Sequence, residues 1–399
     1  MAVPPPPTAH RLNGNGLPVL VVSDVFPPRQ GGSGRWLWEL YRRLPQLEPT
    51  VLAGSTPGDA AFDAASTLRI RRFTFPAGTW GVMSPHGAMG YWRSSRQLKA
   101  EIANVHPRAI HCGKCLPEGL VALIARGRRP LPVWCFAHGE ELTLAHTSRE
   151  LTRLTAAVLT RASGIVANSQ HTRGLLIDQW HVDAGKISVI TPGVDTTRFV
   201  PAPRDEGVRA RFGWTGRCVI LTVGALQKRK GQDMLIRALP EIRRRCPDVL
   251  YAIAGEGWEH DYLAALAREL RVDDLVSFMG IAGDADLVHA YQQCDLFALP
   301  NRRIGWDLEG FGIVLIEAQA CGRPVVTGAS GGTAETLLAG QTGEIVSCEE
   351  PHELAVVCGA LLADAERLAA YGARAREWAV EQFDWQVLAR RAAALFLYS

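Results

Sequence analysis

Lysine is scarce. Only five occur, at positions 99, 114, 186, 228 and 230, so 43 − 5 = 38 of the basic residues are arginine. This skew reads as a GC-rich coding sequence rather than as a phosphate-binding device. Net charge is also small: 43 basic residues face 40 acidic ones, for +3, too even a balance for a dedicated nucleic-acid binder. No apolar run reaches the ~18–20 residues needed to cross a bilayer. The opening stretch MAVPPPPTAHRLNGNG holds four prolines and no apolar core, which does not fit a signal peptide, and residues 1–16 are expected to form a disordered tail. Nine cysteines are scattered between Cys112 and Cys358 without a framework. Cys112 and Cys115 have CxxC spacing, but no second pair completes a zinc site, and a redox dithiol is the other reading. Dispersed thiols suit a reducing cytoplasm. No carboxylate cluster for Mg²⁺ is evident, and no metal site is expected.

What is present is an alternation of strands and helices, given twice. The first series opens with LPVLVVSD (17–24), a β-branched run of the kind that forms a buried parallel strand. Further strands are expected near residue 110 and at 132–137, 164–168 and 187–190. The segment TPGVDTTRFVPAPRD (191–205), rich in proline and turn formers, reads as a linker. The second series has strands at 218–224, 248–255, 275–280, 295–300 and 324–328, separated by helical patterns. The fold class is therefore α/β, with two doubly wound parallel sheets and a ligand cleft at the carboxyl ends of their strands. The expected division is a tail (1–16), an acceptor domain (17–195), a donor domain (196–380) and a last helix (381–399) with Asp384 at its N-cap, packing back on the first domain.

Five stretches at strand ends are candidates for carrying chemistry. EGFGIVLIE (309–317) places Glu309 and Glu317 around a Gly-Phe-Gly turn and a helix start. Free N–H groups there attract anions, and the carboxylates accept hydrogen bonds from hydroxyls, a combination suited to a phosphorylated sugar. QGGSGR (30–35) follows the first strand and precedes a helix. It is neither GxGxxG nor GxxxxGK[ST], so a dehydrogenase or P-loop enzyme loses support; it is either a phosphate loop or an ordinary strand–helix turn. VGALQKRKGQD (223–233) has the same placement, with Lys228, Arg229 and Lys230 before a helix start at Gly231. These are either a solvated basic turn or cations that stabilise a leaving diphosphate. His138 follows PVWCFA at a carboxyl end and can bond a sugar hydroxyl or serve structure. GASGG (328–332) formally matches G-x-S-x-G, which would make Ser330 a hydrolase nucleophile. The one histidine downstream, His352, lies in an apparent surface helix start, and the glycines suit another close approach to phosphate.

Taken together, GGSGR, SGIVANSQHTRGLL with VITPGVDTTRF, VGALQKRKGQDMLI, and EGFGIVLIEAQACGRPVV with SGGTAE resemble the GT-B retaining glycosyltransferases of family 4, from residue 17 to the C-terminus. PNRRIGWDLEGFGIVLIEA is closest in character to mannosyltransferases acting on phosphatidylinositol mannosides. The resemblance implies that Glu309 faces the transferred sugar, Glu317 contacts the ribose and Lys230 holds the diphosphate. It also implies that the amides of Phe311, Gly312 and Ile313 bind donor phosphate with Gly32, that His138 lies near the sugar, and that the base lies near Gly280 and Ile281. The family commonly has arginine where this chain has Ala225, so either Lys228 or Arg229 substitutes, or donor binding is weaker.

The implied reaction moves a hexose, mannose in the finer match, from a nucleoside diphosphate sugar such as GDP-mannose or a UDP-sugar to a glycan or lipid-linked hydroxyl, with retention and without metal or other cofactor. The alternatives are an NDP-sugar epimerase, a silent nucleotide-sugar-binding subunit and, remotely, the Ser330 hydrolase. Acceptor binding is expected at 78–99, where Trp80, Met83, Tyr91 and Trp92 stand near Arg93 and Arg96, with help from Arg42 and Arg43. Core aromatics with solvated arginines are the competing reading of that stretch. The expected location is the cytoplasm, extending to peripheral contact with the anionic inner face of the membrane.

Overall fold

The structure, a computed structural model, describes residues 16–29, 31–75 and 81–398. The expected tail, apart from Gly16, and Trp80 lie outside the described residues. The chain divides into two compact units. One comprises residues 1–167, 176–190 and 389–399; the other comprises 168–175 and 191–388.

The first unit is built on seven parallel strands: β1 (Leu17–Ser23), β2 (Leu47–Gly54), β3 (Arg69–Phe73), β4 (Ala109–Cys112), β5 (Val133–Ala137), β6 (Gly164–Ala167) and β7 (Ile187–Val189). Their order is β3-β2-β1-β4-β5-β6-β7. The second unit has six: β8 (Cys218–Val223), β9 (Val249–Ala254), β10 (Val276–Gly280), β11 (Leu296–Leu299), β12 (Val325–Gly328) and β13 (Gly343–Val346), in the order β10-β9-β8-β11-β12-β13. All of these pairs are parallel as well. In each sheet the order reverses beside the first strand of the series, between β1 and β4 or between β8 and β11, and ligands bind at such points in open α/β sheets.

Burial follows from composition. Val19–Val22 and Val219–Leu221 are buried runs, as strands covered on both faces require. Separate clusters of buried apolar residues fill the two units.

Several elements differ from expectation. Sequence 78–99 lacks clear periodicity, yet Pro85–Val105 is a 21-residue helix whose N-cap Ser84 accepts from the Gly87 N–H at 3.0 Å. Tyr91, expected to meet an acceptor, is 2% exposed and belongs to the core. Arg42 and Arg43, just past the end of the helix Gly32–Tyr41, both bond the buried carboxylate of Glu39 within it. After GASGG the chain makes only a single turn, Thr333–Thr336. The linker stretch packs on the second unit: Val194 bridges to Asp384, and Arg376 donates to the carbonyls of Thr196 and Phe199. Asp384 accepts from the Gln386 N–H at 2.7 Å at the start of the final helix, Trp385–Tyr398. Within the first unit, the Phe396 ring lies 4.5 Å from His111 and 5.7 Å from Trp134.

Candidate active site

Three loops at the carboxyl ends of β8, β11 and β12 are fastened to one another. After β8 the chain makes a single turn, Lys228–Lys230, and Gly231 (φ 73°) starts the helix Gln232–Arg245. A side chain at Gly231 is excluded twice, by its left-handed backbone and by the Pro300 carbonyl, which would lie 1.8 Å from a Cβ. After β11, Asn301 is 1% exposed and uses both ends of its amide. Its Nδ2 donates to the Ser330 carbonyl at 2.7 Å, while its Oδ1 accepts from Thr327 Oγ1 and the Gly328 N–H at 3.0 and 3.1 Å. After β12, Gly331 (φ 76°) presses on the Glu309 backbone, whose carbonyl would lie 1.9 Å from a Cβ, and the Gly332 N–H donates to that carbonyl at 3.1 Å. The glycines of GASGG thus make room for the Glu309 loop, a role that sequence reading gave to a phosphate.

The fastened loops bring Lys230, Arg229 and Glu309 together. Glu309 Oε2 accepts from Lys230 Nζ and Arg229 Nη1, each at 2.5 Å, and Arg229 Nε lies 3.0 Å from Asp307 Oδ1. Burial alone would raise the Glu309 carboxyl; Lys230 and Arg229 outweigh it and hold it below the ordinary glutamate value. Glu309 is therefore ionised at neutral pH. Asp307 goes the other way: burial raises it despite the opposing pull of Arg229. Lys228 is exposed.

The remaining donor-side residues follow on. Gly312 precedes the helix Ile313–Ala320, whose first-turn N–H groups continue the Glu309 loop. Phe311 is buried, with its ring 5.8 Å from Phe383. Glu317, the fifth residue of that helix, is 2% exposed and accepts from Tyr291 Oη at 2.8 Å. Gly280 ends β10, and Ile281 after it is 59% exposed.

In the first unit, Gly32 is exposed at the start of the helix Gly32–Tyr41. His138 follows β5, with Nε2 2.7 Å from the Gly113 carbonyl and its ring edge-on to Trp36 at 5.2 Å. A carbonyl can only accept, so Nε2 carries the proton and Nδ1 the lone pair. Burial, assisted by Lys114, pushes the imidazole down to about 3, so it is neutral. After β4 comes a group that sequence reading missed. Glu118 is 1% exposed, its Oε1 accepts from the Asp24 N–H at 2.9 Å, and burial pushes it up to about 7. Arg302, Asp233, Asp307 and Asn301 were also missed. Asp233 and Asp307 had a local signal, an acid in the first turn of a helix and an acid two residues before Glu309.

No three His, Cys, Asp or Glu side chains among the described residues are grouped to hold a metal ion. Ser330 lies in a bend, while His352 is a surface residue bonded to Glu241 at 3.0 Å.

Residues 207–378 match the family described as glycosyl transferases group 1, and residues 30–198 match glycosyltransferase family 4. A GDP-mannose-dependent alpha-(1-6)-phosphatidylinositol monomannoside mannosyltransferase of Mycolicibacterium smegmatis is 34% identical over 389 residues, covering 94% of this chain and 97% of its own. A GDP-mannose-dependent monoacylated alpha-(1-6)-phosphatidylinositol monomannoside mannosyltransferase of Corynebacterium glutamicum is 30% identical over 382 residues, covering 93% and 96%. Among solved structures, Anabaena HepE in complex with UDP matches with a TM-score of 0.81 at 22% identity, over 96% of this chain and all of that one, which speaks to the fold. These matches decide against the hydrolase and epimerase alternatives. The chain belongs to the family-4 glycosyltransferases, enzymes of the GT-B fold that transfer a sugar from a nucleotide sugar.

Proposed function

We propose that this glycosyltransferase moves mannose from GDP-mannose to a hydroxyl of a lipid-linked or glycan acceptor, with retention at the anomeric carbon. The second unit takes the donor and the first takes the acceptor. Support for the sugar and base comes from the two relatives named above, both GDP-mannose-dependent mannosyltransferases of a phosphatidylinositol monomannoside. Support for the chemistry comes from one observation: Lys230, Arg229 and Glu309 form a single ion-paired group beside a helix N-terminus at the carboxyl edge of the sheet.

In that reading the bond from the anomeric carbon to the diphosphate oxygen breaks, and the acceptor oxygen bonds to the same face. The acceptor's proton passes to the departing phosphate oxygen. Lys230 and the amides of Phe311, Gly312 and Ile313 stabilise the charge that grows on the leaving group, so no metal is required. Glu309, ionised and held by two cations, suits accepting hydrogen bonds from the hexose hydroxyls better than attacking carbon. Arg229 is already shared between Asp307 and Glu309. Lys228 is therefore the residue that takes up the charge missing at Ala225. Glu317, Gly280, Ile281, Gly32 and His138 keep the roles that the family resemblance gives them.

A thermal-shift panel of GDP-, UDP-, ADP- and TDP-sugars tests the donor. A ligand at a hundred times its Kd stabilises by about 2.7 kcal/mol. GDP-mannose should raise the melting temperature selectively; an equal or larger shift with a UDP-sugar overturns the assignment of the base.

Membrane contact is assigned to the helix Pro85–Val105 of the first unit. Its exposed residues include Met89, Trp92, Arg93, Arg96 and Lys99, with the Arg96 guanidinium 4.9 Å from the Trp92 ring centroid. Met83 just before it is 81% exposed. No helix among the described residues is long and apolar enough to cross a membrane. Flotation with anionic vesicles should recover the protein, and Trp92→Ala with Arg96→Ala should abolish recovery; no binding by the unaltered chain removes the peripheral-membrane reading.

A further inference from the structure

Arg302 leaves β11 one residue after Asn301 and turns inward, where it is 5% exposed. Its guanidinium meets Asp233, itself 4% exposed, in a two-pronged pair: Nη1 to Oδ1 and Nη2 to Oδ2, both at 2.8 Å. Its backbone N–H donates to the Arg229 carbonyl at 2.9 Å. Asp233 stands in the first turn of the helix Gln232–Arg245, immediately past Lys230 and Gly231. One residue therefore grips the basic turn on both sides, by the carbonyl inside it and by the helix that follows it. The same segment, seven residues further on, supplies Glu309, the carboxylate on which Lys230 and Arg229 converge.

Stability alone is a poor reason for this pair. Two charges taken out of water recover their desolvation cost only with good geometry, and apolar residues of similar volume often do as well. What a planar fork on a carboxylate provides is fixed direction. We propose that Arg302 is a positioning residue of the transfer reaction: through Asp233 and the Arg229 carbonyl it sets where Lys230 stands relative to Glu309. The inference rests on the donor-site reading above.

The test compares Arg302→Gln, Arg302→Lys, Asp233→Asn and Lys230→Ala in the full-length chain. For each, kcat and KM of steady-state sugar transfer are measured beside melting temperature. A misplacement of about 1 Å can cost on the order of 100-fold in rate. Arg302→Gln should lower kcat by roughly 10- to 100-fold while the KM for the intact nucleotide sugar moves by less than about threefold, because the bound donor has not yet gained the charge that develops on the leaving group in the transition state. Arg302→Lys should restore part of kcat. Asp233→Asn keeps size and shape, should fall in the same direction, and carries the test if Arg302→Gln does not fold. A folded Arg302→Gln or Asp233→Asn with kcat within about twofold of the unaltered enzyme overturns the proposal, since a misplaced cation must cost rate. So does a loss of kcat that tracks melting temperature and vanishes on cooling. Lys230→Ala separates the two failures: if it keeps near-normal turnover, the donor site itself is misassigned; if it is inactive beside a normal Arg302→Gln, only the role of Arg302 falls.

Discussion

Glu309 and Glu118 are both glutamates set against the carboxyl ends of strands, and their surroundings drive them apart. Two cations hold Glu309 below the ordinary value. Its stabilising contribution is therefore present above the unfolded glutamate range and is lost as pH falls through its folded pKa. Glu118 has Lys114 against the effect of burial, but burial wins and the carboxyl rises to about 7. The folded chain thus binds a proton there that the unfolded chain has released. Between the ordinary glutamate value and about 7, the contribution of Glu118 to stability falls as pH rises, by up to about 1.4 kcal/mol per pH unit. Glu118→Gln should remove that slope, because an amide oxygen still accepts from the Asp24 N–H. Denaturant melts at pH 5 and pH 8 should show the variant gaining on the parent at the higher pH; an equal difference at both would contradict the assignment. Sequence alone reached Glu309 and Lys230 because each has a local signal, a glycine turn and a helix start. It could not reach their contact, since the two residues are 79 apart in the chain, or the Arg302–Asp233 pair, 69 apart. It left Tyr91 between core and acceptor surface, because an aromatic beside arginines looks alike in a core helix and on an interface.

Elements were legible where their period was clean. Ten of the thirteen strands among the described residues were anticipated, mostly as short β-branched or apolar runs before glycine or a turn. The three that were not have specific excuses. β2 carries Glu48 and Pro49; β3 is RIRRF, whose arginines are neutralised by Glu48, Glu101 and Asp63; β13 is only Gly343–Val346. The helix Pro85–Val105 was hidden by Gly87 and Gly90 and by a hydrophobic face interrupted by Ser94 and Ser95, which are nonetheless buried. Its start depends on Ser84, a cap with proline after it. Ser84→Ala should cost about 1 kcal/mol, within the ~0.5–2 kcal/mol seen for lost caps. Chemical denaturation of the full chain checks this, and no loss would mean that packing against the sheet alone fixes the helix start.

The molecule as a whole repeats one plan. In each unit a parallel sheet reverses its strand order beside the first strand of its series, and the residues proposed for the site lie after strands at the carboxyl edge. In the second unit these are Lys230 after β8 and Glu309 after β11; in the first they are Gly32 after β1 and His138 after β5. In the proposed reading, a lysine, a carboxylate and a helix start serve the nucleotide sugar in a chain without nucleotide-binding glycine fingerprints. The most direct measurement is the rate of mannose transfer from GDP-mannose by Lys230→Ala beside the unaltered enzyme, with circular dichroism showing both folded. The account predicts a loss on the order of 100- to 1000-fold or more, the scale for removing one fixed group that meets developing charge. Near-normal turnover in a folded Lys230→Ala would contradict it.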